Sequence, residues 1–438
     1  MNQSIVKNWS ESVSFSPEEI VYPDSIHQII EIVKLANEQN RKIRVMGSKH
    51  SFTPLISSTD LLLSLDRLQG VISIDKGKQI ADIWAGTKLS ILGEELAKRG
   101  YTQENLGDIN VQSLAGAFLT GTHGTGTNFG ILSTQLEEVT IILGIGELIT
   151  CSRDKNADLF HAIGVSFGLL GIVVKMKIRV IPLATYQYES TKIVVEELII
   201  NLEELKTTNK HFEFYLFPYA KEVQIKIMNE TIKERKSLKW EKWKVSTLEN
   251  NLFFLLSEMV RVFPNLSRFV SRISAKSVPN STMVGYSHEL FATERKVKFN
   301  EMEYNIPKEF IVEAFTRIQD VIEKQNIKVH FPIECRFVKS DQFWLSPANG
   351  RDSAYIAVHM YKGMPYEHYF KEVENILQEY EGRPHWGKMH TLTFESVKKL
   401  YPKLVDFLMI REKIDPNQVF VNDYFSNLFQ LNYESQKN

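Results

Sequence analysis

The chain has 438 residues, of which 43% are apolar and 24% charged, and its 52 Lys and Arg residues nearly balance 53 Asp and Glu residues, leaving a net charge of −1. This composition excludes a disordered chain, and the length predicts two or three domains. A net charge near zero gives no global drive toward nucleic acid or anionic membranes, both of which require a basic face. Seventeen of the 22 glycines lie at or before Gly171, so the first two fifths of the chain differ from the rest.

The cysteines and the apolar segments indicate in which cellular compartment the protein is expected. Cys151 and Cys335 are 184 positions apart, which excludes a CxxC motif, and no metal site is expected. The low cysteine content and the lack of an apolar h-region in the first fifteen residues favour a cytoplasmic protein. The apolar run Leu252–Ile273 is interrupted by four charged residues and a proline. It therefore predicts an amphipathic surface helix pair rather than a transmembrane segment.

Hydrophobic periodicity predicts mixed helices and strands in the first 182 residues. In chain order we expect a helix within Ser16–Arg44, strands at Ile43–Val45, Leu61–Leu65, Val71–Ile74 and Gln79–Trp84, a helix over Leu89–Lys98, a hairpin of Leu136–Leu143 and Glu147–Ser152, a short helix from Asp158, and a strand over Ile172–Val180. Pro182 ends this region, and glycine is then absent until Gly285.

The second part of the chain is richer in alternating strand patterns. We expect strands at Phe212–Phe217, Val223–Met228, Lys328–Val338 and Ser353–Tyr361 and a helix over Glu367–Tyr380. The domain boundaries are placed after residues 182 and 391, and residues 392–438 are expected to return to the first domain. Between them, Lys233–Lys244 is basic with Trp240 and Trp243 interleaved, which indicates a solvated excursion or, less simply, a nucleic-acid-binding patch.

Three glycine-containing loops fall in the first domain. Residues 121–126 read Gly-Thr-His-Gly-Thr-Gly, and further loops are expected at Met46–Ser51 and Gly164–Gly171. The spacing matches neither a Rossmann fingerprint nor a P-loop. Glycine allows a ligand to approach main-chain N–H groups closely, so three such loops suit a large ligand with a diphosphate. The alternative is a set of glycine-rich surface turns.

Charged residues occur on two apolar strands of the second part. In Pro332–Phe337 the period-two alternation puts Glu334 and Arg336 on one face and Cys335 on the other, and His359 and Tyr361 share a face of their strand. Charges on such strands are paired or functional. A structural Glu334–Arg336 salt bridge is the alternative to a site.

Four segments together resemble a known family. RVMGSKHSF (44–52), SLAGAFLTGTHGTG (113–126), FGLLGIVVKMKIRVIP (167–182) and HWGKMH (385–390) are similar to segments of the aldonolactone and alditol oxidases, flavoproteins of the vanillyl-alcohol-oxidase superfamily. The resemblance implies an α+β, two-domain fold. It consists of an FAD-binding domain (1–182), an antiparallel-sheet cap domain that holds substrate (183–391) and a C-terminal segment (392–438) that returns to the FAD domain.

The resemblance also implies the cofactor site. His50 corresponds to the histidine that is bonded to the flavin 8α-methyl in this family, whereas the residues alone favour a histidine that is hydrogen-bonded within a turn. A covalent bond would retain FAD and tune it for oxidation. The further residues expected to contact FAD are Gly47, Ser48, Lys49, Ser51, Ser113, Gly116, Gly121, Thr122, His123, Gly124, Gly126, Gly171, Ile172 and Lys388.

By the same resemblance, Glu334, Arg336, His359 and Lys388 are the expected catalytic residues. A guanidinium stays protonated, so Arg336 stabilises developing alkoxide charge, as does a protonated Lys388. His359, or a Lys388 of depressed pKa, would accept the hydroxyl proton, and Glu334 would orient substrate hydroxyls.

Three further positions concern the substrate side of the flavin. Ser113 matches a serine that contacts substrate in the alditol oxidases. Tyr361 stands where those enzymes carry threonine, which predicts a pocket of different shape. Gln112 stands where a small residue is expected, and its bulk would affect access of oxygen or substrate to the flavin.

The expected reaction is oxidation of the CH–OH group of an aldono-1,4-lactone of the D-arabinono- or L-gulono-lactone type, with hydride transfer to flavin N5 and oxygen as acceptor, giving H2O2. Alternatives are an alditol (sugar alcohol) oxidase and a dehydrogenase of the same family with another acceptor. A flavin-binding protein without chemistry is the non-enzyme alternative. The expected partners are a small polyhydroxy substrate and molecular oxygen, without nucleic acid and without a transmembrane segment.

Overall fold

The computed structural model describes residues 5–238, 240, 241, 247, 250–292 and 295–431, so Trp243 of the basic segment lies outside the described residues. The α-helices are α1 Ile26–Glu38, α2 Leu89–Lys98, α3 Leu114–Leu119, α4 Ala157–Ile163, α5 Val195–Thr208, α6 Asn250–Val262, α7 Ser267–Ser277, α8 Ser287–Leu290, α9 Ile311–Lys324, α10 Glu367–Glu379, α11 Phe394–Leu400, α12 Leu404–Ile414 and α13 Asp423–Leu428. In the part of the chain described, no helix is long and apolar enough to cross a bilayer.

Within the described residues, the strands form two large sheets and three small ones. They are β1 Val6–Lys7, β2 Ser14–Phe15, β3 Glu19–Val21, β4 Ile43–Met46, β5 Leu61–Ser64, β6 Val71–Asp75, β7 Ile80–Trp84, β8 Tyr101–Thr102, β9 Leu136–Ile142, β10 Leu148–Ser152, β11 Ile172–Arg179, β12 Ile181–Pro182, β13 Thr185–Val194, β14 His211–Leu216, β15 Glu222–Glu230, β16 Ser281–Tyr286, β17 Phe299–Pro307, β18 Ile333–Val338, β19 Ser353–Tyr361 and β20 Arg383–Pro384.

Local sequence accounts for the elements of the first part. Helix α1 begins where the Ser25 side chain accepts a hydrogen bond from the Gln28 amide, and it buries Ile29, Val33 and Ala36 along one face. Strand β4 pairs in parallel with β5, which also pairs in parallel with β3. A separate antiparallel sheet has the order β10-β9-β11-β7-β6. The short parallel sheet ends at the glycine loop that follows Met46, so β4 delivers this loop to the interior.

The larger sheet builds the wall of the site. Its order is β16-β13-β15-β14-β18-β19-β17-β20, and every neighbouring pair is antiparallel. The register sets Glu213 of β14 opposite Arg336 of β18, and Glu301 of β17 opposite His359 of β19. Residues opposite one another in an antiparallel pair have close side chains, so this register determines which charges meet.

Two hydrophobic cores interlock. Most buried apolar residues up to Val180 and from Leu392 onward lie in one core, whereas residues between Leu198 and Tyr380 supply most of the other. Phe52 crosses into the second core, and Leu345 of a loop after β18 packs in the first. Because each part contributes to the other's core, the boundaries at 182 and 391 stay predictions.

Several strands of the larger sheet differ from the expectation: β13 and β16 were not predicted, and β18 and β17, which line the small cavity, differ for identifiable reasons. The strand expected over Lys328–Val338 is shorter, because β18 begins only after Pro332, whose ring nitrogen has no proton to donate to a sheet. Strand β17 was not expected at all. Its sequence FNEMEYNIP carries polar residues at Asn300, Glu301 and Glu303, and these obscure the apolar pattern although all of them are buried between β19 and β20.

Candidate active site

Side chains from β17, β18 and β19 and from five loop segments surround a cavity of about 50 Å³. The ionisable residues that line it are His50, Asp108, His123, Arg295, Glu301, Glu303, Glu334, Arg336, His359, His385 and Lys388. The structure thus brings together the four residues predicted to be catalytic, and it adds five charged residues that the sequence did not indicate: Asp108, Arg295, Glu301, Glu303 and, behind Arg336, Glu213.

Glu301 joins two of the predicted catalytic residues. Its carboxylate is ion-paired with Lys388 and lies 3.5 Å from Nε2 of His359. Burial acts to raise the pKa of Glu301, but the Lys388 ammonium and His359 outweigh it and lower that pKa. The His359 Nδ1 atom lies 3.2 Å from the Pro332 carbonyl oxygen. A carbonyl can only accept, so Nδ1 carries a proton, and Nε2 is the ring atom on the side of Glu301.

The turn that carries Lys388 is held by the backbone of β17. The His385 amide donates to the Glu303 carbonyl at 2.9 Å, and the Met389 amide donates to the Glu301 carbonyl at 3.0 Å. Lys388 therefore enters the cavity from a loop anchored to the strand that carries its own carboxylate partner. The pairing makes Lys388 a cation fixed in position rather than a free side chain.

Arg336 is surrounded by carboxylates. It contacts Glu334 directly, and it lies 2.9 Å from Glu213 and 3.3 Å from Asp108. Asp108 is also paired with Arg295, which comes from a loop 187 residues away. Burial raises the pKa of Glu334, and the carboxylates of Asp108 and Glu213 add to that effect, whereas Arg336 opposes it. The expected Glu334–Arg336 salt bridge exists, but it lines the cavity and is part of a larger charge network.

His123 forms a buried pair with Glu303. Its Nδ1 lies 2.8 Å from the Gly124 carbonyl oxygen and its Nε2 lies 3.0 Å from the Glu303 carboxylate. His123 lowers the pKa of Glu303 against the effect of burial, so the carboxylate stays charged. The neighbouring His385 accepts a hydrogen bond from the Gly387 amide at its Nδ1, and burial lowers its pKa to about 4. His385 is therefore neutral near pH 7.

His50 lies at the junction of this cavity and a second one. Its ring stacks on Trp9 at 5.5 Å between centroids, and burial, followed by the nearby Lys388, lowers its pKa to about 4. The Phe52 amide donates to the Gly387 carbonyl at 2.6 Å, which ties the His50 loop to the Lys388 turn. The imidazole is therefore neutral and keeps a nucleophilic nitrogen at physiological pH.

The second cavity is much larger, at about 1260 Å³. It shares His50, Asp108, Arg295 and Arg336 with the small cavity and extends along β13, β14 and β15 to residues 278–292. Ser48 and Gly124 line it as well. It is several times larger than one sugar ring needs, so it has room for more than a lactone.

The remaining predicted residues lie in loops and at the ends of helices and strands. Gly121, Gly126 and Gly171 have positive φ angles and shape their loops, and Ile172 begins β11. Ser113 caps helix α3, where its hydroxyl accepts from the Gly116 amide at 3.3 Å, and Tyr361 donates a hydrogen bond to Glu258 of α6. Among the described residues that line the two cavities, neither Ser113 nor Tyr361 occurs.

Comparison with known proteins agrees with this architecture. A sequence profile of the D-arabinono-1,4-lactone oxidase family matches residues 176–428, and one of an FAD-binding domain matches residues 17–152. The chain is 35% identical to L-gulono-1,4-lactone dehydrogenase of Mycobacterium tuberculosis, over 96% of this chain and 98% of that protein. It is 31% identical to L-gulonolactone oxidase of Mus musculus, over 97% and 98% of the two chains.

The chain belongs to the D-arabinono-1,4-lactone oxidase family. Among solved structures, cholesterol oxidase from B. sterolicum superposes with a TM-score of 0.85 at 17% identity, covering 98% of this chain and 97% of that one. This likeness confirms the predicted α+β fold of the vanillyl-alcohol-oxidase type. The protein is thus an FAD-dependent oxidoreductase of the aldonolactone-oxidising family.

The residues of this family member fit FAD. In Gly47–Ser51, none of the five main-chain N–H groups donates to a main-chain acceptor among the described residues, and Lys49 has a φ of 59°. Successive free amides around a left-handed residue form a concave anion site that suits a diphosphate. Gly47 is needed here, because a Cβ would overlap the Ser113 hydroxyl. Thr122 adds a buried hydroxyl on the cavity wall that has no partner in the described part of the chain.

The most informative residues that the sequence analysis missed are Glu301 and Glu303. They stand two apart in β17, so period-two alternation puts both on one face of a buried strand. This is the signal that indicated Glu334 and Arg336, and it would have identified them if the strand had been recognised. Asp108 and Arg295 lie in loops and give no such signal.

Proposed function

We propose that the protein oxidises the CH–OH group of an aldono-1,4-lactone of the L-gulono- or D-arabinono-lactone type, with molecular oxygen as electron acceptor and H2O2 as second product. The observation that carries this proposal is the contact of Glu301 with both His359 and Lys388 beside His50. It supplies a proton acceptor and a fixed cation within one small cavity. Neutral sugar rings suit a wall of this kind, because carboxylates and cations supply acceptors and donors for hydroxyl groups.

FAD, when bound, accepts the hydride from the carbinol carbon. The chain's own residues manage the proton and the charge. His359 Nε2 accepts the hydroxyl proton, because Nδ1 is already bonded to the Pro332 carbonyl. The carboxylate of Glu301, 3.5 Å from Nε2, then stabilises the imidazolium that forms. Lys388, held as a cation by Glu301, stabilises developing alkoxide charge.

Arg336 acts mainly through Glu334 in this proposal. Three carboxylates already surround the guanidinium, so its positive charge is largely compensated and stabilises a substrate oxygen only weakly. It keeps Glu334 oriented toward the cavity, where this carboxylate accepts hydrogen bonds from substrate hydroxyls. Arg336 is a positioning residue on this view, and Glu334 contacts the substrate.

A substrate test distinguishes this function from its rivals. L-gulono-lactone, D-arabinono-lactone and several sugar alcohols are each mixed with purified enzyme without oxygen, and flavin bleaching is followed by stopped flow. The proposal expects bleaching by lactones and little by alditols. K388M should retain bound flavin and lose rapid bleaching, whereas K98M, at an exposed helix position, should react normally. Rapid bleaching of K388M would refute the role of Lys388.

The acceptor is tested separately, since the names of the relatives include both a dehydrogenase and an oxidase. Gln112 lines the small cavity and is the residue whose bulk bears on oxygen access. Reduced enzyme is mixed with oxygenated buffer or with an artificial dye, and reoxidation rates are compared. Fast reoxidation by oxygen with stoichiometric H2O2 supports an oxidase. Reoxidation by the dye but not by oxygen would show that the enzyme uses another electron acceptor. The proposal that it oxidises a lactone would not be affected.

Covalent attachment of FAD through His50 is part of the proposal. Its support is a neutral imidazole in the loop whose free amides suit the diphosphate. Acid precipitation should leave yellow colour in the pellet, with an intact-mass gain of one FAD. H50A should release all flavin, whereas H27A, at an exposed histidine of α1, should behave as wild type. Release of free FAD from the wild-type protein would show that the covalent bond to His50 does not exist.

We also propose a cytoplasmic location. Both cysteines are free and buried, which fits a reducing compartment. Cell fractionation with marker enzymes for the cytoplasm and for the secretory route tests this. Recovery with the secretory marker would contradict it.

A further inference from the structure

We propose that helices α6 and α7 form a docking face for an anionic lipid bilayer, on which the enzyme lies peripherally. Binding to a bilayer is a property separate from lactone oxidation, and nothing in the active site requires it. The observations behind it are a row of exposed large apolar side chains, three cations of α7 that have no carboxylate partner among the described residues, and the position of the face beside the large cavity.

The apolar side chains of the helix pair divide into two sets. Val260 and Val270 are buried in the second core and attach the helices to the sheet. The outer set is exposed and consists of Leu252, Phe254, Leu255, Val262, Phe263, Phe269 and Ile273. Leu255, Phe263 and Phe269 are 65%, 61% and 58% exposed. Water-facing phenylalanines at this density mark an interaction surface rather than ordinary scatter.

Cations lie on the same outer face. Arg268, Arg272 and Lys276 follow one another at four-residue spacing on α7 and are exposed. None of the three has a carboxylate partner among the described residues, although Arg268 lies over the Tyr219 ring and Arg272 donates to the Tyr219 carbonyl. Arginine and lysine beside exposed phenylalanine are typical of helices that lie in a membrane interface, with apolar side chains in the acyl region and cations at the headgroups.

The charge of this region differs from that of the chain. Residues 250–278, which contain both helices, have four Lys and Arg residues and one Glu, a net charge of +3 in a chain whose net charge is −1. The remainder is therefore acidic and would be repelled by an anionic surface. Attraction through this face and repulsion elsewhere orient the molecule with α6 and α7 toward the lipid.

A second copy of the chain is a weaker candidate for this face. A two-fold dimer would set the patch against itself, so its cations would oppose one another. An anionic bilayer instead complements the charge and accepts the apolar side chains at the same time. Residues 278–283, which directly follow α7, line the large cavity, so docking would set the rim of that cavity against the bilayer.

Flotation with lipid vesicles tests the proposal on the purified holoenzyme. Vesicles of phosphatidylcholine with 30% phosphatidylglycerol should bind the enzyme, and pure phosphatidylcholine vesicles should bind it much less. The triple variant R268Q/R272Q/K276Q should lose roughly 100-fold in partitioning, since each cation near an anionic surface contributes about fivefold. L255S/F263S/F269S should lose binding to both vesicle types.

Matched variants control for charge, polarity and folding. K76Q/K78Q/K98Q removes three exposed cations from the first part of the chain, and I200S/V405S/M409S removes three exposed apolar residues elsewhere. Both should bind vesicles as wild type does, and all variants should keep the wild-type flavin absorbance and circular dichroism. Equal loss in the controls, or wild-type protein that ignores anionic vesicles, would overturn the proposal. A dimer in light scattering that L255S/F263S/F269S abolishes would assign the face to a second copy instead.

Discussion

Replacing Glu301 by Gln tests the charge arrangement of the site most directly. The substitution keeps the shape of the side chain and removes the charge that Lys388 and His359 both face. Removing one partner of a buried ion pair costs about 3–5 kcal/mol, because the other charge stays buried without compensation. The Lys388 side chain is 15% exposed, so water stabilises part of the remaining charge. We therefore expect the lower end, about 3 kcal/mol.

The same change should slow the reaction. Without Glu301 the imidazolium of His359 loses its stabilising carboxylate, and anaerobic flavin reduction should fall roughly 100-fold. The stability effect should also depend on pH. Because the folded-state pKa of Glu301 is lowered, its stabilisation is fully present above the ordinary value of about 4.3 and is lost as pH falls below it. The gap between wild type and E301Q should thus narrow in acid.

Urea unfolding of E301Q, K388M and the double variant completes the test. If the two residues stabilise the fold as a pair, the losses of unfolding free energy in the two single variants should add up to more than the loss in the double variant. The expected difference is at least about 1.5 kcal/mol. Additivity within about 0.5 kcal/mol would show that the pair carries no stability. E309Q, at an exposed glutamate outside the site, is the control and should change neither stability nor flavin reduction. Wild-type reduction by E301Q would refute the assignment of Glu301 to the proton-accepting pair.

Three further predictions concern other parts of the site. Covalent flavin incorporation should be nearly constant from pH 5.5 to 8, because the pKa of His50 is about 4, whereas a rate that rises with a midpoint near 6.5 would contradict a buried imidazole. G47A should lose FAD affinity and about 1–3 kcal/mol of stability through overlap with Ser113, and G47A/S113A should recover much of both, as fluorescence titration and urea unfolding would show. Y361F should lower the free energy of unfolding by about 1 kcal/mol, because the hydrogen bond to Glu258 is lost, and it should leave the KM for lactone unchanged. A raised KM would show that Tyr361 does contact the substrate.

The sequence predicted the local parts of this protein well. The turn that follows β4, the hairpin of β9 and β10, and the helix pair α6 and α7 each depend on a short run of residues, and each is present where it was expected. Strand alternation correctly set Glu334 beside Arg336. Strand alternation did not predict that His359 and Tyr361 have different surroundings, because their spacing puts them on the same strand face. Tyr361 is the last residue of its strand and contacts α6.

The sequence by itself determined which chemistry is available, namely a glycine loop with a histidine, charged residues on apolar strands and an amphipathic helix pair. Only the tertiary structure decided which charges meet. Glu213 faces Arg336 across 123 residues of chain, and Asp108 contacts Arg295 across 187. These pairings follow from strand register and loop docking, which depend on packing between distant segments and leave no trace in a local pattern. Local conformation is encoded in neighbouring residues, whereas the electrostatics of the site arise only when the sheet is assembled.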